Sequence, residues 1–267
     1  MPVPVLPPYH ASDALKPLPH GFFGRRGGIS TGLYHSLNVS LSSDDDPRRV
    51  YDNIDLAHQA ITGGGDDRSD RSTVLLLKQV HGTHVVTATS PWSLDTRPEA
   101  DALVTATPGL VLGITTADCA PLLLADPDAM VIGAAHAGWR STIDGILEET
   151  VQAMLALGAN RKGIHCSIGP CIGRASYEVD RDFQEVHIAK DTETRCFFSP
   201  GRAGHYYYDL SGYLQHQCAS IGIASWDFIS ADTCADEQSY FSYRRSLLRK
   251  ESGFGTQISA IALPIGA

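Results

Sequence analysis

A chain of 267 residues with 43% hydrophobic side chains carries enough apolar surface for a packed core and too much for a disordered one. Its formal charge of −9 argues against duplex nucleic acid as the main partner, but leaves room for a small anion held by a few local arginines. No apolar stretch reaches the length of a membrane span, and the start, MPVPVLPPYH, lacks the basic and apolar regions of a secretory leader, so no membrane association and a cytoplasmic location are expected.

In chain order, the proline-rich stretch up to about His20 is expected to wrap the surface. Residues 20–32 (HGFFGRRGGISTG) read as a tight, glycine-rich loop made positive by Arg25 and Arg26. Asp44, Asp45 and Asp46 before Pro47 are a helix start, and Val50, Ile54, Ala57 and Ile61 continue it with helical spacing until Gly63–Gly65. The polar run that follows, GGGDDRSDRS, reads as the most mobile segment. From Val74 the character changes to short apolar runs: VLLL, VVTA, ALVT, LVLGIT, PLLLA and MVIGAA. They predict strands, several buried on both faces.

A helix capped by Ser141 or Thr142 is expected next. Asp144 falls in its first turn, Ile143, Ile146, Leu147, Val151, Met154 and Leu155 form its buried stripe, and Gly158 stops it. IHCSIG predicts another strand leading into the turn GPCIG. A further helix follows Asp209 with Leu210, Tyr213, Leu214, Gln217 and Ile221. The terminal TQISAIAL alternates like a half-buried strand. No repeat or linker forces a division, so a single α+β domain over residues 1–267 with mixed sheets is expected.

Three clusters carry the chemistry: KQVHG (78–82), ADCAP (117–121) and HAGWR (136–140). Each offers one good transition-metal ligand, His81, Cys119 and His136, where an apolar run stops and small residues allow close approach. Three ligands without an obvious fourth point to catalysis more than to structural stapling. His84, three residues beyond His81, opens a new apolar run and is not counted as a ligand. Asp118 beside Cys119 is placed to carry protons or to support the ligands from behind. The six cysteines (Cys119, Cys166, Cys171, Cys196, Cys218, Cys234) show no tight pairing and read as free thiols or ligands rather than disulfides.

HGFFGRRGGISTGLYHSLN, LKQVHG, TTADCAPLLLAD, HAGWR, IGPCIGRASYEV and FSYRR occur in this order. They resemble the YfiH or laccase-domain family, also described as polyphenol-oxidase-like, from His20 onward. The resemblance implies a sandwich of mixed β-sheets with flanking helices. It also implies a metal site, usually zinc with copper as the other possibility, on His81, Cys119 and His136. The implied activity is purine nucleoside phosphorolysis, of adenosine, inosine, guanosine and methylthioadenosine, with adenosine deamination alongside. The substrates would then be purine nucleosides and phosphate. Arg25, Asn38, Gln79, Asp118, Arg140, Tyr177 and Glu178 fall on recurring motif positions of the family. Two departures stand out: Ser141 where HAGWR is commonly followed by Gly, and FGT (254–256) where the family often has TGR.

The implied chemistry asks particular things of these residues. Deamination needs a carboxyl group to shuttle protons, either Asp118 or Glu178. Phosphorolysis needs an anion site, for which Arg25 and Arg140 are the expected residues because a guanidinium engages two oxygens at once. Asn38 either holds a ribose hydroxyl or closes a turn, and Tyr177 and Glu178 either contact base or ribose or are ordinary core and surface side chains. Two rival activities remain: a copper-dependent polyphenol oxidase, disfavoured by 11 histidines without a single H-x-H pair, and an amide hydrolase of peptidoglycan precursor editing with Cys119 as nucleophile.

Overall fold

The computed structural model describes residues 6–63 and 74–265. The polar run expected to be mobile lies almost entirely outside them. The first elements are strands β1 (Tyr9–His10) and β2 (His20–Phe23), helix α1 (Pro47–Thr62), and strands β3 (Val74–Leu75), β4 (Val85–Thr87), β5 (Ala102–Thr105), β6 (Val111–Thr116), β7 (Ala120–Asp126) and β8 (Val131–Ala137). Helices α2 (Trp139–Ile143) and α3 (Ile146–Ala156) follow, then β9 (His165–Ile168), β10 (Glu178–Asp180) and α4 (Arg181–Lys190). The chain continues through β11 (Phe198–Pro200), β12 (His205–Tyr208), α5 (Leu210–Ile221), β13 (Ser225–Phe228), α6 (Tyr243–Arg249) and β14 (Gln257–Ala262).

Two mixed sheets stack face to face. One runs β1-β2-β14-β6-β3 and the other β13-β9-β7-β8-β5-β4, while β10-β12-β11 form a small third sheet. Strand period explains the layering. Along β7, Leu123 and Ala125 face the space between the large sheets with Phe22, Leu112, Ile114 and Ile132, and Leu122 and Leu124 face α3 and α5. The central strands are therefore covered on both faces, which is why they read as unbroken apolar runs. On the far side, Val50, Ile54, Ala57 and Ile61 of α1 pack on Val74, Val111, Ile258 and Ala260. The architecture has the α+β class and mixed sheets that the sequence pattern predicts, arranged as the sandwich with flanking helices that the family resemblance implies.

Several local expectations are corrected. The segment taken wholly as a loop begins with β2, whose four residues are all buried beside β14. Ser141 and Thr142 lie inside α2 instead of capping a long helix, because Gly145 takes a left-handed φ of 96° and starts α3 separately. β14 is buried along its whole length, covered by α1 on one face and by the second large sheet on the other. Helices α4 and α6 and the small sheet carry weak apolar patterns and were not expected. Among the described residues, no helix is long and apolar enough to cross a membrane, and all six cysteines are free thiols.

Candidate metal centre and cleft

His81, Cys119 and His136 converge at one end of the stacked sheets. Cys119 closes the turn that carries the chain from β6 in one large sheet to β7 in the other. His136 is the penultimate residue of β8, in register with Pro121 of β7. His81 sits in the loop between β3 and β4 with a left-handed φ of 60°. The ligand atoms of the three side chains all lie within 4.8 Å of one another, with the Cys119 sulfur 4.0 Å from His81 Nε2. A side-chain carbon at Gly138 would lie 3.0 Å from the His81 ring and 3.2 Å from the sulfur, so glycine there keeps the cluster open. The departure at Ser141 acts on this same turn: the buried Ser141 hydroxyl donates to the carbonyls of His136 or Gly138, each 3.1 Å away.

Asp101, which the sequence reading missed, organises the cluster. Fully buried, it accepts backbone N–H groups of Val80, His81 and Gly82 and faces His136 Nδ1 at 2.8 Å. Nδ1–H therefore donates to the carboxylate, leaving Nε2 as the ligand atom. Burial alone would push the Asp101 carboxyl up, but the bonds from His136, Gly82 and His81 hold it below the ordinary carboxylate range. Burial likewise opposes the charged forms of Cys119 and His136. The neighbouring imidazoles overcome it and bring the Cys119 thiol down to about 6. The sulfur and Asp101 raise His136 to about 9. Two imidazole nitrogens and a thiol that ionises readily suit zinc or copper(I), and the carboxylate behind His136 is the support such ligands usually have. The only sequence signal for Asp101 is a lone acidic residue directly before the apolar run ALVT.

The cluster opens into a cleft of about 670 Å³, within the range of small-molecule sites. Asp118, Arg140, Tyr177 and Glu178 line it together with His81 and Cys119. Trp139, Phe183 and Tyr177 form an aromatic wall, with ring centroids 4.7 Å apart for Trp139–Phe183 and 5.8 Å for Tyr177–Phe183. The Arg140 guanidinium lies over Trp139. The Glu178 carboxylate pairs with Arg202 at 3.0 Å. Arg202, His205, Tyr243, Arg244, Leu247 and Leu248 also line it, none of them expected from the sequence as cleft residues.

Three expected site residues do not project into this cleft. Gln79 is spent on a reciprocal clasp of Thr115, donating to its carbonyl and accepting its N–H and hydroxyl. Asn38 is fully buried. It donates to Ser43 and Asp45 and accepts from the backbone of Ser40 and Thr256, and so braces this loop. Arg25 lines a separate pocket and donates to the carbonyls of His35 and Glu237. His84 is exposed, with Nδ1 3.0 Å from the Glu99 carbonyl, and stands outside the ligand group.

Comparison with known proteins places these features in context. The family described as multi-copper polyphenol oxidoreductase laccase matches residues 19–264. A purine nucleoside phosphorylase of Deinococcus radiodurans is 41% identical over 230 residues, 85% of this chain and 84% of that protein. A purine nucleoside phosphorylase of Streptomyces griseus, ORF3, is 36% identical over 84% of this chain and 87% of its own length. Among solved structures, protein NMB0706 of Neisseria meningitidis superposes with a TM-score of 0.81 at 28% identity, covering 98% of this chain and 99% of that one.

Proposed function

The chain belongs to the multi-copper polyphenol oxidoreductase laccase family, and from that premise we propose that it is a zinc-dependent purine nucleoside phosphorylase acting on adenosine, inosine, guanosine and methylthioadenosine, with adenosine deamination as a side activity. One observation carries the reading: a single cleft joins the His81–Cys119–His136 group to an aromatic wall and to arginines. A bound zinc ion would supply Lewis acidity at the cluster end of the cleft.

The chain's own residues then divide the work. Trp139, Tyr177 and Phe183 stack on the purine, which is flat and apolar on its faces. Arg140 draws phosphate in, since its planar fork engages two oxygens. A phosphate oxygen forms the new bond to the ribose anomeric carbon as the bond to the purine nitrogen breaks, and the electron pair leaves with the base. Glu178, oriented by Arg202, is the carboxylate placed to accept a ribose hydroxyl or a purine N–H. The amide-hydrolase reading draws on a different observation, a Cys119 thiol brought to about 6 beside His81.

One experiment tests the assignment. Metal-loaded protein is incubated with adenosine or inosine, with and without phosphate, and products are separated. Free base and ribose 1-phosphate should form only with phosphate present. Base release without phosphate, or none at all from any purine nucleoside, overturns it.

A further inference from the structure

We infer that Arg244 joins Arg140 as an oxyanion clamp in the cleft, and that Asp118 is the positioning residue that sets Arg244 rather than a carrier of protons. The ligand is a tetrahedral phosphate group, either free phosphate or the phosphoryl group of a nucleotide. Choosing free phosphate rests on the phosphorylase reading above.

Arg244 and Arg140 both line the cleft, and both guanidiniums lie against aromatic rings, at 5.3 Å from the centre of Tyr177 and 4.4 Å from that of Trp139. Among the described residues, neither is paired with a carboxylate. The third cleft arginine, Arg202, is neutralised by Glu178. Arg244 spends Nη1 on the Glu178 carbonyl at 2.7 Å, a contact that orients the guanidinium and leaves other donors free. Two guanidiniums on the aromatic wall of one cleft, neither paired with a carboxylate among the described residues, are suited to a small anion that needs several N–H donors.

Asp118 is committed elsewhere. It sits in the β6–β7 turn with a left-handed φ of 86°, and its carboxylate is buried. Oδ1 accepts the Thr233 hydroxyl at 2.7 Å. Oδ2 accepts the Ser242 hydroxyl at 2.9 Å and the Arg244 backbone N–H at 2.6 Å. Ser242 is itself the residue that caps α6. The carboxylate next to the metal-ligand cysteine thus ties that turn to the backbone of Arg244, and every one of its bonds runs to residues 233–244. An amide of the same shape can preserve the arrangement. Its oxygen takes the Ser242 and Arg244 donors, and its NH2 faces the Thr233 hydroxyl, which can accept.

The test titrates the metal-loaded full-length protein calorimetrically with inorganic phosphate and, separately, with adenosine 5′-monophosphate, alongside steady-state kinetics. Arg244→Met and Arg140→Met should each weaken phosphate binding by about tenfold or more, with the nucleoside KM held within about twofold. Asp118→Asn should keep phosphate affinity within about threefold and the same pH profile, whereas Asp118→Ala should weaken phosphate as Arg244→Met does. Should Asp118→Ala fail to fold, Asp118→Asn decides alone. A loss of turnover of about a hundredfold with one limb of the pH profile gone would mark a proton carrier and overturn the positioning role. Phosphate affinity unaltered in Arg244→Met, or absent from the wild type, overturns the clamp. Phosphate binding that depends on both arginines without nucleoside cleavage leaves the clamp standing and removes the phosphorylase. Tighter binding of the monophosphate through the same arginines assigns the anion to the substrate's own phosphoryl group.

Discussion

Arg244 and Arg245 are neighbours in sequence and serve opposite ends. Arg245 shares a pocket with Arg25, whose guanidinium lies over the Phe241 ring, and both spend their donors on backbone carbonyls. Arg245 donates to the carbonyls of Thr233, Cys234 and Tyr240, and Arg25 to those of His35 and Glu237. Burial and the nearby Arg245 both push Arg25 below its ordinary range. These guanidiniums are fasteners for irregular chain around residues 33–37 and 233–240. Arg244 and Arg140 also lie on aromatic rings, but in the cleft beside the His81–Cys119–His136 group, where Arg244 gives one N–H to a backbone carbonyl and keeps donors to spare. The difference teaches that an arginine near a site becomes a ligand group only if the backbone has not already used its donors.

The contrast breaks most visibly at the metal cluster. Cys119→Ala should fold and lose both bound metal and about a thousandfold or more in turnover; metal analysis showing full occupancy would remove the centre from the cleft side. Next come the two kinds of arginine. Arg245→Met should cost about 2–4 kcal/mol in urea unfolding, because three carbonyls lose a charged donor in a buried setting. Arg140→Met should cost less than about 0.5 kcal/mol while impairing activity. Equal losses of stability would erase the distinction.

Asp101→Asn, which weakens the partner of His136 Nδ1, should lower metal affinity by about 10–100-fold, read by competition with a chelator. The smallest effect sharpens the cleft wall. His187 stacks on Phe183 and stands behind Trp139, with Nε2 buried and without a partner among the described residues, and burial lowers its pKa. A histidine held neutral by the fold binds fewer protons there than in the unfolded chain. Its penalty is therefore absent above the unfolded value of about 6.5 and grows as pH falls below it. His187→Leu should flatten the fall of the urea midpoint between pH 7 and 5 by the equivalent of about 1 kcal/mol or less. An unchanged pH dependence would show that another group sets it.

Much of this was legible beforehand for definite reasons. The runs PLLLA and MVIGAA announce strands because both faces of β7 and β8 are covered, and α1 shows Asp46 before Pro47 and an apolar stripe. The three candidate metal ligands stand out because good ligand types sit among small residues at strand ends. α4 and the small sheet were illegible: their polar and aromatic residues half-bury against one another, so neither period shows. Gln79, Asn38 and Arg25 fall on motif positions of the resembling family, and such polar side chains suit both ligands and loop braces. Hydrogen-bond partners that distinguish the two come from far along the chain, as with Thr115 for Gln79 and Thr256 for Asn38.

The sequence by itself determined the strand-rich α+β class, the position of the main helices and the identity of two imidazoles and a thiol, because these are properties of local pattern and side-chain chemistry. Only the tertiary structure decided which carboxylate stands behind the ligands and which arginines keep free donors. Asp101 reaches His136 across 35 positions of chain, and Asp118 reaches Arg244 across 126. Hydrogen bonds saturate, so whether a polar group is available to a ligand depends on which distant partners the packed backbone has already brought to it.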